Sequence, residues 1–291
     1  MWNSIPPQII ALAAALSYAT SGIAAKRGLR YSTPITVTLV SVAVHAATLW
    51  TALLLAGGIP KVSWWVLFLF ALTGTLQPII RLFTYAGIYY VGASRGTTLR
   101  GSHPLFSTAL AIVFLHERMS LPIVAGTILI VAGVGLISWQ PVGERASFRW
   151  WHVGYPLGAA FLAGISHPLR RYALHLANEP LYLAAVIGVV ALPWLATYIV
   201  LPTEGELPVW NRRSMGWFLM AGVFETLGIL LVIVALSVGE VVIVSPIVAT
   251  SPLWIVVGTS LFLRGIETIN LQTALGAVSV VAGTIAISVV R

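Results

Sequence analysis

The chain contains no cysteine and no aspartate, and only 8% of its residues carry charge. Without cysteine there are no disulfides, no thiol nucleophile and no thiolate metal site. Without aspartate, all carboxylate chemistry falls to eight glutamates. No His-x-x-x-His or Glu-x-x-His pattern offers metal ligands, and no Gly-x-x-x-x-Gly-Lys-Ser/Thr loop offers a nucleotide cradle. The expectation is therefore no metal, no cofactor and no ATP-driven step. Soluble domains carry about 25% charged residues. Here 58% of residues are hydrophobic and the mean hydropathy is +0.95, more apolar surface than a water-soluble fold can hide. The net charge of +8 comes from residues scattered through loops and span ends, where Lys and Arg anchor helices at headgroup level. It does not indicate nucleic acid.

What is present is a series of apolar runs. About 20 apolar residues cross a bilayer as one helix, and ten runs fill most of the 291 residues. They lie at 9–25, 34–57, 64–90, 94–115, 121–139, 152–174, 181–201, 215–237, 240–263 and 271–290. The runs are near-continuous, whereas barrel strands alternate over about ten residues. The expected fold is an all-α membrane protein. Trp64, Trp65, Trp139, Trp150, Trp151, Trp210 and Trp217 gather at span ends, as an interfacial belt requires. Met1 to Gln8 lacks a basic residue, so the first run reads as a retained helix and not a cleaved signal.

The second half echoes the first. Gly126, Gly133 and Ser138 match Gly276, Gly283 and Ser288 at a separation of 150, and Glu117 matches Glu267. Pro104-Leu105-Phe106 matches Pro252-Leu253-Trp254 at 148, and Lys26 matches Arg171 at 145. The expected units are 1–140 and 150–291, each with five spans. An odd number of spans inverts one half relative to the other, giving ten transmembrane helices as two inverted five-helix repeats. Inverted repeats commonly build transporters, with substrate near the midplane.

The run from mid-helix Pro104, through Leu115-His116-Glu117-Arg118, to the Gly126/Gly133 helix resembles the drug/metabolite transporter superfamily, in its EamA-type ten-helix members. The pattern recurs from Pro252 to Gly283, with Gly265-Ile266 inserted before Glu267 and no Arg after it. The basic residues Lys26 and Arg171, ending the first span of each half, also fit. The resemblance covers essentially the whole chain. It implies a secondary transporter for small metabolites in a bacterial-type inner membrane, with both termini cytoplasmic. Loop charges argue the other way. Lys61, Arg118, Arg170, Arg171 and Arg291 would be cytoplasmic. Lys26, Arg27, Arg30, Arg95, Arg145, Arg149, Arg212, Arg213 and Arg264 would be opposite, and the positive-inside rule favours the inverse.

An ionised side chain at a helix centre costs about 2.5–3.5 kcal/mol on insertion scales. Arg81, Arg100, His103, Glu225 and His45 occupy such positions. Arg81 and His103 lie eleven residues either side of Gly92, about 16 Å deep at 1.5 Å per residue. Arg100 lies about 12 Å deep. Gly96, Arg100, His103 and Ser107 share one stripe, and Gln77, Arg81 and Tyr85 share another. Facing a common cavity, these stripes would form a cationic floor suited to a carboxylate or phosphate. At separation 148, Arg100 corresponds to Val248 and His103 to Ser251, so the scaffold does not require the arginine. Glu225 either neutralises Arg81 or Arg100, serves as a proton or cation site, or receives a substrate amine. His45 reads as a packing residue or a minor participant. Arg170 and Arg171 read as span-end anchors. Tyr18, Ser21, Ser166, His167, Thr250 and Ser251 are further lining candidates, and Pro78, Pro104, Pro168, Pro193, Pro246 and Pro252 are expected kinks. The small-residue spans 5 and 10 would pack within the monomer or on a second subunit.

The candidate binding set is Tyr18, Gln77, Arg81, Tyr85, Arg100, His103, Glu225 and Ser251. The expected function is export or exchange of a small polar metabolite, an amino acid or another anion, by alternating access. Coupling to protons or a counter-substrate, and monomer or homodimer, stay open. The alternatives are a lipid-acting membrane enzyme, which lacks a nucleophile and an acid–base constellation here, and a non-transporting scaffold.

Overall fold

Helix-compatible termini set the elements. The computed structural model describes residues 5–91, 96, 99–138, 149–200, 207–262 and 271–289, and every regular element among them is helical. The α-helices are α1 (Pro7–Gly28), α2 (Pro34–Leu55), α3 (Trp64–Ala86), α4 (His103–Leu115), α5 (Leu121–Ser138), α6 (Gly154–Leu176), α7 (Pro180–Val200), α8 (Arg212–Val238), α9 (Val241–Val248), α10 (Ser251–Phe262) and α11 (Leu271–Ser288). Pro7 and Pro34 sit in first turns, where a missing N–H leaves nothing unpaired. The Ser63 hydroxyl caps α3 by accepting from Val66 N at 3.3 Å, and the Asn211 carbonyl caps α8 from Arg213 N at 2.9 Å. Helix α3 continues into one π-helical turn, Gly87–Val91. Pro78, Pro168 and Pro193 remain inside α3, α6 and α7.

Spans 4 and 9 differ from the sequence expectation of continuous helices. Span 9 stops at Val248 and restarts at Ser251, and span 4 turns through Gly101 and Ser102 before α4 begins. The cause is Pro104 and Pro252. Each lacks an N–H, and its ring crowds the carbonyl four residues back. The chain responds with tight i→i+3 bonds. Ser102 N donates to Leu99 O at 3.2 Å and Leu105 N to Ser102 O at 3.1 Å. Thr250 N donates to Ile247 O at 3.1 Å and Leu253 N to Thr250 O at 2.9 Å. Each bond of the second pair lies 148 positions beyond its counterpart in the first.

The packing obeys the same exchange symmetry. Helix α1 lies along α8, and its counterpart α6 lies along α3. Helix α2 packs on α8 as α7 packs on α3, and α4 packs on α6 as α9 and α10 pack on α1. The pairs α2–α7 and α5–α11 each join an element to its own equivalent, and α4–α9 joins the two broken spans, so all three straddle the pseudo-two-fold axis. The protein is an all-α membrane protein of ten transmembrane helices in two inverted five-helix repeats.

Helices α5 and α11 approach each other closely. A Cβ placed on Gly126 would meet Gly283 O at 2.6 Å, and one on Gly283 would meet Gly126 O at 2.5 Å. A Cβ on Gly133 would meet Gly276 O at 2.7 Å. Each glycine thus faces the repeat partner of the other. Spans 5 and 10 use their small residues within the chain, as interfaces in lipid do. The Glu267 side of the repeat, together with Gly92, Trp139 and the Arg95, Arg145, Arg264 and Arg291 positions, lies outside the described residues.

Polarity is distributed inside out. Trp64, Leu55, Phe114, Val278 and Ile285 are exposed, whereas Ser21, Ser41, His45, Gln77, Arg81, His103, Ser107, His167, Arg170 and Ser245 are buried. An apolar exterior around a polar interior suits lipid as solvent. Trp64, Trp65, Trp150, Trp151 and Trp210 are exposed at helix ends.

Candidate functional site

A small polar cavity opens where both helix breaks meet. Gly101 and His103 bring the break of span 4 to it, and Ala249 and Ser251 bring the break of span 9. Helix α1 adds Tyr18, Ser21 and Gly22, α3 adds Thr84 and Tyr85, and α8 adds Glu225. Arg100, immediately before the span 4 break, supplies the cation. Six of the sequence candidates (Tyr18, Tyr85, Arg100, His103, Glu225 and Ser251) therefore share one chamber.

The remaining two do not. Arg81 is 1% exposed and donates to Ser41 Oγ at 3.0 Å and to His45 Nδ1 at 2.8 Å. An arginine only donates, so His45 Nδ1 accepts and its Nε2–H donates to Ala184 O at 2.8 Å. This chain ties α2, α3 and α7 together behind the cavity. Gln77 accepts from Arg170 Nη2 at 2.6 Å, joining α3 to α6. The stripe Gln77–Arg81–Tyr85 spans about two turns, and only its Tyr85 end reaches the chamber. Sequence spacing gave the face and not the depth of the neighbouring helices.

Arg170 is a further departure. A span-end anchor should snorkel to headgroups, yet Arg170 is 2% exposed and bonded inside the bundle. The helix does not end there; it continues to Leu176. Arg171 points elsewhere, donating to Leu236 O at 2.6 Å in the last turn of α8, where a cation meets the negative helix end.

Within the chamber, Arg100 Nε donates to Thr84 Oγ1 at 2.9 Å, and its guanidinium carbon lies 5.7 Å from the Tyr18 ring centroid. Its terminal nitrogens have no hydrogen-bond partner among the described residues. The Glu225 carboxylate accepts from Ser21 Oγ at 3.1 Å and pairs with no arginine among the described residues. Ser21 Oγ also lies 3.0 Å from Ala221 O. Tyr85 OH is buried without a hydrogen-bond partner among the described residues. A cation and an anion thus line one hollow without neutralising each other, and α4 and α10 start at its edge with their positive ends. That arrangement can hold a carboxylate or phosphate at Arg100 and an ammonium at Glu225. Thr84 escaped the sequence reading because a threonine in an apolar helix carries no signal of its own. His167 lies outside the cavity lining and bonds to Ser245 Oγ, also missed, at 3.2 Å.

Glu117, from the Leu-His-Glu-Arg run, lies outside this chamber. His116 ends α4 in the left-handed region, at φ 55°, and turns the next residue toward the second half. Glu117 Oε1 and Oε2 then accept from Val241 N and Val242 N, each at 3.0 Å. Both oxygens of one repeat cap the start of α9 in the other.

These features define a polytopic membrane protein whose inverted halves enclose a polar chamber at two broken helices. The EamA-like transporter family model matches residues 6–139 and again residues 150–289. The chain belongs to this family, and it is a membrane transporter with a small-molecule substrate. No curated protein matches it. A solved crystal structure of another protein superposes with a TM-score of 0.77 at 14% identity, over 98% of this chain and 99% of the other. That likeness concerns the fold alone.

Proposed function

We propose that the chain is a secondary transporter that exports or exchanges a small carboxylate- or phosphate-bearing metabolite by alternating access. An amino acid satisfies both poles of the chamber. The observation that carries this reading is that Arg100 and Glu225 line one cavity and form no ion pair among the described residues. Tyr18, Tyr85, His103 and Ser251 complete the substrate contacts, while Gln77 and Arg81 hold the frame. The units 1–140 and 150–291 act as the two rocking halves. Their broken spans 4 and 9 flank the chamber at equivalent positions, as hinges for opening to either side require. Energy comes from gradients or exchange.

The proposed location is a bacterial-type inner membrane; helical spans support it, since outer-membrane spanning proteins are barrels. Both termini are assigned to the cytoplasm. A fluorescent protein fused after Arg291 should glow and an alkaline phosphatase there should stay inactive; the opposite result inverts the topology.

The test of the substrate reading is a thermal-shift panel on purified protein with L-alanine, L-glutamate, succinate, inorganic phosphate and choline. Carboxylates or phosphate should raise the melting temperature, and choline should not. Arg100→Ala should abolish the shift while the unliganded melt is kept. A shift with choline alone, or one that survives Arg100→Ala, overturns the reading.

A further inference from the structure

Beside the chamber, three side chains from two helices converge on one hydroxyl of a third. Ser245 Oγ, in α9, lies 3.1 Å from His103 Nδ1, 3.2 Å from His167 Nδ1 and 2.6 Å from Ser107 Oγ. The two imidazole centroids are 5.1 Å apart, and all four residues are buried. His103 and Ser107 belong to α4, His167 to α6, so the cluster joins both repeats. One of the four, His103, also faces the cavity.

A hydroxyl donates one hydrogen bond and accepts two. Of its three neighbours, Ser245 therefore gives a proton to one and must receive from the other two. With both imidazoles neutral, Ser107 and one Nδ1–H donate to Ser245, and Ser245 donates to the second Nδ1. With one proton added, both imidazoles donate to Ser245, Ser245 donates to Ser107, and Ser107 donates to Pro104 O at 3.3 Å. Both protonation states satisfy every Nδ1 and hydroxyl in the cluster without moving a heavy atom. A buried polar cluster normally tolerates one state only, since an orphaned group costs about 1–3 kcal/mol.

The repeat does not need this cluster. The counterparts of His103, His167 and Ser107 are Ser251, Gly22 and Ile255. The charged and titratable groups that face the pair are Arg100 beside His103, Arg170 beside His167, and Tyr18 and Glu225 across the cavity. Two guanidiniums oppose a further positive charge while the chamber is empty. A carboxylate seated against Arg100 supplies the compensating charge.

We infer that His103, His167, Ser245 and Ser107 form a proton-binding site that fills when a carboxylate occupies the neighbouring chamber, so that anion and proton move together. The step breaks one O–H bond of a hydronium ion in the cavity, leaving water, and makes one N–H bond at an imidazole; release to water reverses it. By reciprocity, each ligand favours the other by the same factor. An outward anion gradient would then carry protons out with it. This inference rests on the carboxylate reading above.

The test uses the full chain in proteoliposomes with radiolabelled L-alanine, L-glutamate and succinate, and protein-free vesicles as control. Counterflow at equal pH reads substrate exchange, and accumulation under an acid-outside gradient reads coupling. The wild type should concentrate an exchanged probe up to about tenfold per pH unit for one proton. His167→Gln, which lies outside the cavity lining, should lose that accumulation and stop near equal concentrations while counterflow continues. Ser245→Ala removes only the shared hydroxyl and carries the same expectation should the glutamine variant not fold. Counterflow by the wild type with no response to the gradient overturns the proton site and leaves the transporter reading standing, as does undiminished accumulation by either folded variant. No counterflow of any probe overturns both.

Discussion

Glu117 offers the sharpest test of how the two halves are fastened. Its two oxygens take the first two N–H groups of α9, each at 3.0 Å, and α9 begins the broken span that lines the chamber. Glu117→Ala strands both donors in a half-buried site between repeats. Losing a helix cap of this kind costs about 1 kcal/mol and up to about 2 where the donors stay dry. At roughly 2–4 °C per kcal/mol for a chain of a few hundred residues, the melt should fall by about 2–8 °C. Glu117→Gln keeps one carbonyl acceptor and sheds the charge, so its loss should be under half of that. Burial raises the Glu117 carboxyl above the usual glutamate range, against the lowering effect of the Val241 and Val242 N–H groups; nearby Glu240 also raises it and Arg171 lowers it. A carboxyl raised in the folded state favours folding most below its unfolded pKa and loses that contribution as pH rises through the folded one. The wild type should therefore gain stability relative to Glu117→Gln as pH falls from neutral through the glutamate range. Tryptophan fluorescence melts in detergent across pH measure all of this. An alanine variant melting within 1 °C of wild type, or a glutamine variant worse than alanine, would refute the cap.

Other expectations follow from the same geometry. Gly283→Ala forces a methyl into Gly126 O and should cost about 1–3 kcal/mol, visible as a lower melt. Gly135→Ala, with open space at its Cβ, should melt like the wild type. Arg81→Ala leaves Ser41 and His45 without their donor and opens a hole between α2, α3 and α7. It should destabilise by about 2–3 kcal/mol while keeping the carboxylate-induced melting shift; a normal melt with the shift lost would return Arg81 to the substrate. Arg100→Lys should retain a weakened shift, since a lysine keeps the charge and loses the planar fork; a shift equal to wild type would remove the guanidinium geometry from the argument.

Much of the fold is legible without coordinates, because lipid allows few choices. Every backbone group must be paired within a span, so apolar runs of the right length become helices wherever they occur. The Pro34 and Trp64 starts, the Leu121 and Leu271 starts, and the glycines shared by spans 5 and 10 all follow from local chemistry. The breaks at Pro104 and Pro252 were readable as prolines but not as interruptions. Whether a proline bends a helix or stops it depends on what takes up the freed carbonyls, and neighbouring helices decide that. Arg170 shows the same limit. Its position near an apparent span end suggested a headgroup anchor, while α6 in fact continues six residues further and Gln77 of α3 receives the guanidinium.

The sequence by itself determined the solvent, the helical class, the duplication and the unusual presence of Arg100, His103 and Glu225 in hydrocarbon. These depend on composition and on periodicity along one chain. Only the tertiary structure decided which of those groups meet. It put Arg100 and Glu225 in one chamber, withdrew Arg81 and Gln77 behind it, and gathered His103, His167 and Ser107 around Ser245. Helical periodicity names a face, but contact across 78 to 204 positions of sequence depends on how neighbouring helices rotate and approach, and that is set by packing.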